Sequence, residues 1–140
     1  MPRTVLDSSV LVSAFVTPHG QVAQLLRDPA RGRYRLCLSD IILAETAETL
    51  LKKPSLRRSY AYADKDVLDY VRWLITHAEM VGEVPDIRAV PGDPKDDPIV
   101  ATAVAANAAY LVTSDKAHLL PLAEYQGIRI VSPREFVELL

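Results

Sequence analysis

The residues in this chain best able to do chemistry are carboxylates, and they recur beside apolar runs. Thr4-Val-Leu6 ends at Asp7. Ala109-Tyr-Leu-Val-Thr113 ends at Ser114-Asp115. Between them, Gly92-Asp-Pro-Lys-Asp-Asp-Pro-Ile-Val-Ala-Thr-Ala-Val-Ala105 packs Asp93, Asp96 and Asp97 into five residues. A fourth position, Glu45, lies in the second turn of a helical pattern. Two carboxylates ~5 Å apart oppose each other by roughly 3 kcal/mol at an effective dielectric near 20. A cluster of them must either hold protons at raised pKa or bind hard divalent cations. Oxygen-only ligation points to Mg²⁺ or Mn²⁺. Zinc would want His or Cys, and the chain has three histidines and one cysteine. Such ions can activate a water and steady the charge of a phosphodiester under in-line attack. No Ser-His-Asp or Cys-His arrangement, phosphate-binding loop or dinucleotide glycine pattern is present.

The elements that must position these acids follow from hydrophobic patterning. Apolar strand runs at 4–6, 34–38, 109–113 and 128–131 alternate with helical patterns at 10–15, 21–26, 41–51, 64–80 and 97–108. A residue before proline avoids the helical region, so the 21–26 helix is expected to stop near Asp28-Pro29. Ser39 or Asp40 caps the 41–51 helix, and Pro54 stops it. Asp97-Pro98 reads as a helix N-cap followed by proline at the first helical position. Ser132-Pro-Arg-Glu135 reads as a capping box opening a last helix. The segments 79–90 and 119–125 predict little beyond a short strand, a loop and a helical turn. Strands that are apolar throughout indicate a mainly parallel sheet covered on both faces. In such a sheet ligands bind beyond the carboxyl ends of the strands. Asp7 and Asp115 fall there, while Asp97 and Glu45 sit near the starts of helices that can share the same rim. Each acid also has a plainer reading: Asp7 as a turn acid, Glu45 as a solvated helix acid, Asp97 as a cap.

Length, composition and charge bound the rest. A chain of 140 residues fits one domain, 1–140, and can bury roughly two-thirds of its unfolded surface without disulfides. Cys37, inside an apolar strand run, reads as a buried structural thiol. No apolar run long enough for a membrane span is present, and the N-terminus is not a signal peptide, so the cytoplasm is expected. The net charge of −2 decides little. Basic residues nevertheless group at Arg27, Arg31, Arg33 and Arg35 and again at Lys52, Lys53, Arg57 and Arg58, and charge distribution matters more than the total for nucleic acid. Trp73 reads as core or helix contact rather than a platform for bases.

Six segments, in this order and spacing, resemble the PIN-domain family, in the branch of toxin components related to VapC-type toxins. They are Val5-Leu-Asp-Ser-Ser-Val-Leu-Val-Ser-Ala14, Leu38-Ser-Asp-Ile-Ile-Leu-Ala-Glu-Thr-Ala-Glu-Thr-Leu50, Lys53-Pro-Ser-Leu-Arg57, Asp93-Pro-Lys-Asp-Asp-Pro-Ile-Val-Ala-Thr-Ala103, Leu111-Val-Thr-Ser-Asp-Lys116 and Ile128-Arg-Ile-Val-Ser-Pro-Arg-Glu-Phe136. The resemblance implies a three-layer α/β/α sandwich with a central mainly parallel sheet and a Mg²⁺- or Mn²⁺-dependent ribonuclease site. It implies Asp7, Glu45, Asp97 and Asp115 as core acids and metal ligands, with hydroxyl support from Ser9 and from Thr113 or Ser114. It further implies an RNA substrate, with Arg31, Arg33, Lys52, Lys53, Arg57 and Arg58 as candidate contacts, a small antitoxin partner and a homodimer. One departure stands out. Where relatives often carry a second acid after the fourth-motif Asp, this chain has Ala117 followed by His118. Asp93 or Asp96 could compensate, or could be loop and cap acids only. A non-cutting domain that binds RNA or protein is the alternative the altered motif raises.

Overall fold

The apolar strand runs assemble into one six-stranded sheet in a computed structural model that describes residues 1–30 and 32–140. In chain order the elements are β1 (Arg3–Leu6), α1 (Ser8–Val16), α2 (Gln21–Ala30), β2 (Arg35–Leu38), α3 (Asp40–Lys52), α4 (Pro54–Ser59) and α5 (Asp64–His77). They continue with β3 (Glu79–Met80), α6 (Asp97–Ala105), β4 (Tyr110–Val112), α7 (Leu119–Leu122), β5 (Glu124–Tyr125), β6 (Ile128–Val131) and α8 (Pro133–Leu139). The strand order is β3-β2-β1-β4-β6-β5. All neighbours pair in parallel except β5 with β6. Helices cover the sheet, in keeping with the sandwich that the resemblance implies.

The strands are buried along almost their whole length. Val5, Leu6, Leu36, Cys37, Leu38, Leu111, Val112 and Val131 are at most 1% exposed, because both sheet faces carry helices. Burying each such side chain stabilises the fold by roughly 1.5–3 kcal/mol. Cys37 is free and fully buried, and burial pushes its thiol up.

Local chemistry accounts for most boundaries. Ser39 Oγ accepts the Ile42 N–H to cap α3, and meets Thr102 Oγ1 at 2.8 Å, which ties the start of α3 to α6. Pro54 stops α3 and also opens α4, where its missing N–H costs nothing. Ser132 and Glu135 form the expected capping box of α8. Three expectations change. The 21–26 helix does not stop at Asp28-Pro29: α2 continues through that pair to Ala30, the bias of a residue before proline against the helical region being a preference and not a bar. The helix expected to reach Met80 stops at His77, because Glu79 and Met80 pair with Cys37 and Leu38 as an edge strand. The segment 119–125 divides into α7 and β5. Gln126 and Gly127, both at positive φ (49° and 86°), turn the chain back into β6. Trp73 packs against the core and stacks on His77 with ring centroids 4.1 Å apart, as the helix-contact reading had it.

β1 lies between β2 and β4, so the chain's connections depart in opposite directions from its two sides. The crevice above the carboxyl ends of β1 and β4 is the place where an open α/β sheet binds ligands. Asp7 follows β1 and Asp115 lies three residues beyond β4.

Candidate active site

The first half of the site is built on the end of β1. Leu6 pairs with Val112, and the Asp7 N–H donates to the Val112 carbonyl at 2.9 Å, which sets Asp7 beside Thr113. Asp7 caps α1. Its Oδ1 accepts the Ser8 N–H at 2.6 Å, and its Oδ2 accepts Thr113 Oγ1 at 2.7 Å and Ser9 Oγ at 3.3 Å. The residue is only 5% exposed. Burial raises its pKa, the bonds from Thr113 and Ser8 offset part of that rise, and the charge of Glu45 adds to it. Glu45 reaches in from α3 and accepts a hydrogen bond from Ser8 Oγ.

The second half lies one step outward. Thr113 Oγ1 accepts the Asp115 N–H at 3.1 Å, so one threonine hydroxyl joins the two halves. Asp115 closes the turn into α7: its Oδ1 accepts the N–H groups of Ala117 (3.0 Å) and His118 (3.3 Å), and its Oδ2 that of Leu119 (3.3 Å). The turn carries His118 inward, with Nδ1 3.2 Å from Asp93 Oδ2 and 3.9 Å from Asp115 Oδ2. Gly92, at φ 77°, starts the opposing loop. There Asp93 Oδ1 accepts the Lys95 N–H, and the Asp96 N–H donates to the Asp93 carbonyl. Asp93, Asp96, Asp115 and His118 each offer a ligand atom within 4.8 Å of the others.

Three carboxylates this close coexist by sharing a proton. Burial, then hydrogen bonds to Asp115 and Asp93, push Asp96 up to about 8. Burial alone would also raise Asp115, but the bond from Asp96 and the three backbone N–H groups hold it below the usual carboxylate range. A divalent cation would take the place of that proton. The donor set, three carboxylates and an imidazole with no lysine or arginine paired to them among the described residues, fits such an ion.

A family model described as the PIN domain matches residues 3–117. The chain belongs to the PIN-domain family. Its fold is similar to two solved structures. One is VapBC2 from Rickettsia felis bound to a DNA fragment from its promoter, at 16% identity and TM-score 0.59, covering 93% of this chain and 98% of that one. The other is PAE2754 from Pyrobaculum aerophilum, at 12% identity and TM-score 0.59, covering 98% of this chain and 88% of that one. No curated protein matches the sequence.

This PIN domain distributes the acids expected from its sequence unevenly. Asp7 and Glu45 meet through Ser8, and Asp7 and Asp115 through Thr113. Asp97 stands apart. Its Oδ1 accepts the N–H groups of Ala89 (2.9 Å) and Val90 (2.8 Å), which hold its pKa down against burial. It does not cap α6 as the Asp-Pro pattern suggested, because that oxygen already serves the 89–90 loop. Asp96, its neighbour, faces the cluster instead. Ser9 Oγ donates to Asp7 and accepts the Ser114 N–H at 3.3 Å, so Ser114 contributes its backbone. Sequence reasoning assigned Ser8 no part in the site and noted His118 only as the departure that follows Ala117. The pair Ser8-Ser9 and the unusual Ala117-His118 were the available signals.

The basic candidates also separate. Lys52 and Lys53 line a groove of about 630 Å³ with Glu45, Glu48, Thr49 and Lys95. Lys53 and Thr49 continue into a second hollow of about 340 Å³ that reaches Ser8 and Ser9. Arg57 is committed elsewhere: it pairs with Asp64 at 2.8 Å and lies over the Tyr62 ring at 4.7 Å. Arg58 and Arg33 are exposed, and Arg31 lies outside the described residues.

Proposed function

We propose that this PIN domain is a Mg²⁺- or Mn²⁺-dependent endoribonuclease acting as the toxin of a toxin–antitoxin pair. The observation that carries the reading is the convergence of Asp93, Asp96, Asp115 and His118 within 4.8 Å beside the buried Asp7, at the ligand-binding edge of the sheet. When bound, a divalent ion there supplies acidification of a water and charge compensation on the phosphoryl group. Asp115 and Asp96, with Asp93, hold the ion, and Asp7 completes the inner side of the site. Ser8, Ser9 and Thr113 fix the carboxylates by their hydroxyls. In this reading Glu45, exposed and hydrogen-bonded by Ser8, takes a proton from the attacking water. Asp97 acts as a positioning residue that braces the 89–90 loop behind the cluster.

Single-stranded RNA suits the groove. Lys53 stands where the two hollows meet, and Lys52 and Lys95 line the outer one, so a phosphate backbone can run from solvent towards Ser8 and Ser9. An RNA substrate implies a cytoplasmic setting, and no helix among the described residues is long and apolar enough to cross a membrane. The likeness in fold to a protein named VapBC2 supports a small antitoxin as partner. Leu68 and Ile75, seven residues apart on α5 and 56% and 50% exposed, support a homodimer, which light scattering would test.

The decisive assay is RNA cleavage with Mg²⁺ or Mn²⁺ by the wild-type chain and by Asp7→Asn and Asp115→Asn. Cleavage by the wild type alone supports the reading. Equal rates of cleavage in all three would reject these acids as the site, and RNA binding without cleavage under either ion would reject the ribonuclease reading in favour of a binding module.

A further inference from the structure

We infer that His118 is a metal ligand, and that the outer half of the site therefore prefers Mn²⁺ to Mg²⁺. The inference rests on the reading of this rim as a cation site and concerns which ion it selects. His118 does not sit in the acid position its family motif offers. It follows Ala117, and the turn closed by Asp115 brings it back so that Nδ1 lies 3.2 Å from Asp93 Oδ2 and 3.9 Å from Asp115 Oδ2. An imidazole thus stands in the shared coordination space of three carboxylates. Two segments remote in sequence supply that space: the 92–96 loop with Asp93 and Asp96, and the turn between β4 and α7 with Asp115 and His118. Asp93 is held by its own turn with Lys95, and Asp115 by three backbone N–H groups, so both carboxylates are set before an ion arrives.

The donor chemistry then sorts the ions. Mg²⁺ demands hard oxygen ligands and gives up water reluctantly. Mn²⁺ accepts the same carboxylates, and as a first-row transition ion it also takes an imidazole nitrogen more readily. A site with one nitrogen among its oxygens is therefore biased towards Mn²⁺, where four carboxylates would not be.

The test measures binding and coordination directly. Titration calorimetry on the whole chain should give an affinity for Mn²⁺ at least about tenfold above that for Mg²⁺, and His118→Ala should remove most of that gap by weakening Mn²⁺ about tenfold. His118→Asp should restore binding and shift preference towards Mg²⁺. Pulsed electron paramagnetic resonance of the Mn²⁺-loaded wild type should show coupling to a directly bound ¹⁴N that His118→Ala lacks. Thermal melts establish that each variant is folded. Mn²⁺ bound without nitrogen coupling, or an unchanged Mn²⁺-to-Mg²⁺ ratio in His118→Ala, overturns the inference and leaves His118 as a hydrogen-bond donor to Asp93. RNA cleavage is scored separately. Nitrogen coupling in a protein that cuts no RNA leaves the ligand assignment standing and rejects the ribonuclease reading. Cleavage without coupling does the reverse.

Discussion

The two ends of β1 treat acids in opposite ways. At the amino end, Arg3 donates to both carboxylate oxygens of Glu79 on the edge strand and through Nε to the Ala106 carbonyl at 2.6 Å. The arginine's hydrogen bonds hold Glu79 below the usual carboxylate range. At the carboxyl end, Asp7, Glu45, Asp93, Asp96 and Asp115 gather, and among the described residues none of them pairs with a lysine or arginine. There the pKa values of Asp7 and Asp96 rise. One end carries its own counter-charge and serves the fold. The other is left short of positive charge, which is the condition under which a cation from solution binds and in which stability is given up for function.

The largest expected effect comes from removing acids at the charge-poor end. A bound ion supplies several kcal/mol of transition-state stabilisation, so Asp115→Asn should slow RNA cleavage by about a thousandfold, each 1.36 kcal/mol being a factor of ten. The same substitution relieves repulsion among Asp93, Asp96 and Asp115 but weakens the bonds from three backbone N–H groups, so the metal-free Tm should change little. A fall in Tm together with retained cleavage would mean that Asp115 serves the fold, as Glu79 does.

Protons give the second measure. Asp96 ionises near 8 in the metal-free fold and near 3.8 in the open chain. A carboxyl harder to ionise in the fold stabilises the fold while protonated. That contribution is fully present below about pH 4 and is lost as pH climbs through about 8. The metal-free protein should therefore lose stability across that window, and Asp96→Asn should flatten the loss in melts taken from pH 5 to 9. An incoming ion must displace the same proton. Mn²⁺ affinity should then rise about tenfold per pH unit between pH 6 and 8, and level off above. A flat calorimetric profile would mean that Asp96 holds no proton to release.

Much of this was legible in the residues, and the reasons for the exceptions are physical. The apolar runs at 4–6, 109–113 and 128–131 announced buried parallel strands, and acids at their tips announced the rim. β3 was expected only as a short strand somewhere in 79–90, because Glu79-Met80 is two residues long and is recruited by pairing with β2 and by Arg3, both remote in sequence. β5 escaped notice because Gln126-Gly127 is a weaker turn signal than Asn-Gly. Asp96 and Asp97 are adjacent and chemically identical. No local pattern could say that the 89–90 loop would present two N–H groups to Asp97 and leave Asp96 to the cluster. His118 needed the turn at Asp115 before its ring could be placed. Arg57 was a candidate by charge alone, and its pairing with Asp64 and its place over the Tyr62 ring depend on the fold of the 57–64 segment.

A smaller effect concerns the path to the charge-poor end. Lys53 lines both hollows leading to Ser8 and Ser9, and phosphate contacts are salt-dependent. Lys53→Ala should raise KM for RNA about fivefold, as the loss of about 1 kcal/mol implies, with kcat unchanged and a shallower salt dependence. Arg57→Ala should lower Tm while leaving KM alone. The opposite pattern would exchange their roles.

The smallest expected effect tests whether the two ends of β1 are independent. Arg3 and Asp7 are four residues apart, roughly 13 Å at about 3.3 Å per residue, against a screening length of about 8 Å at physiological salt. Arg3→Ala strips Glu79 of its partner and the Ala106 carbonyl of its donor, so Tm should fall modestly, and less so at high salt because the pair is partly solvated. Mn²⁺ affinity and RNA cleavage should stay within about twofold of wild type, since a charge beyond the screening length has little hold on the rim. A larger loss of metal affinity, in a variant that melts normally, would mean that β1 transmits strain between its ends through the buried Thr4, Val5 and Leu6. The separation between an end that serves the fold and an end that serves the ion would then fail.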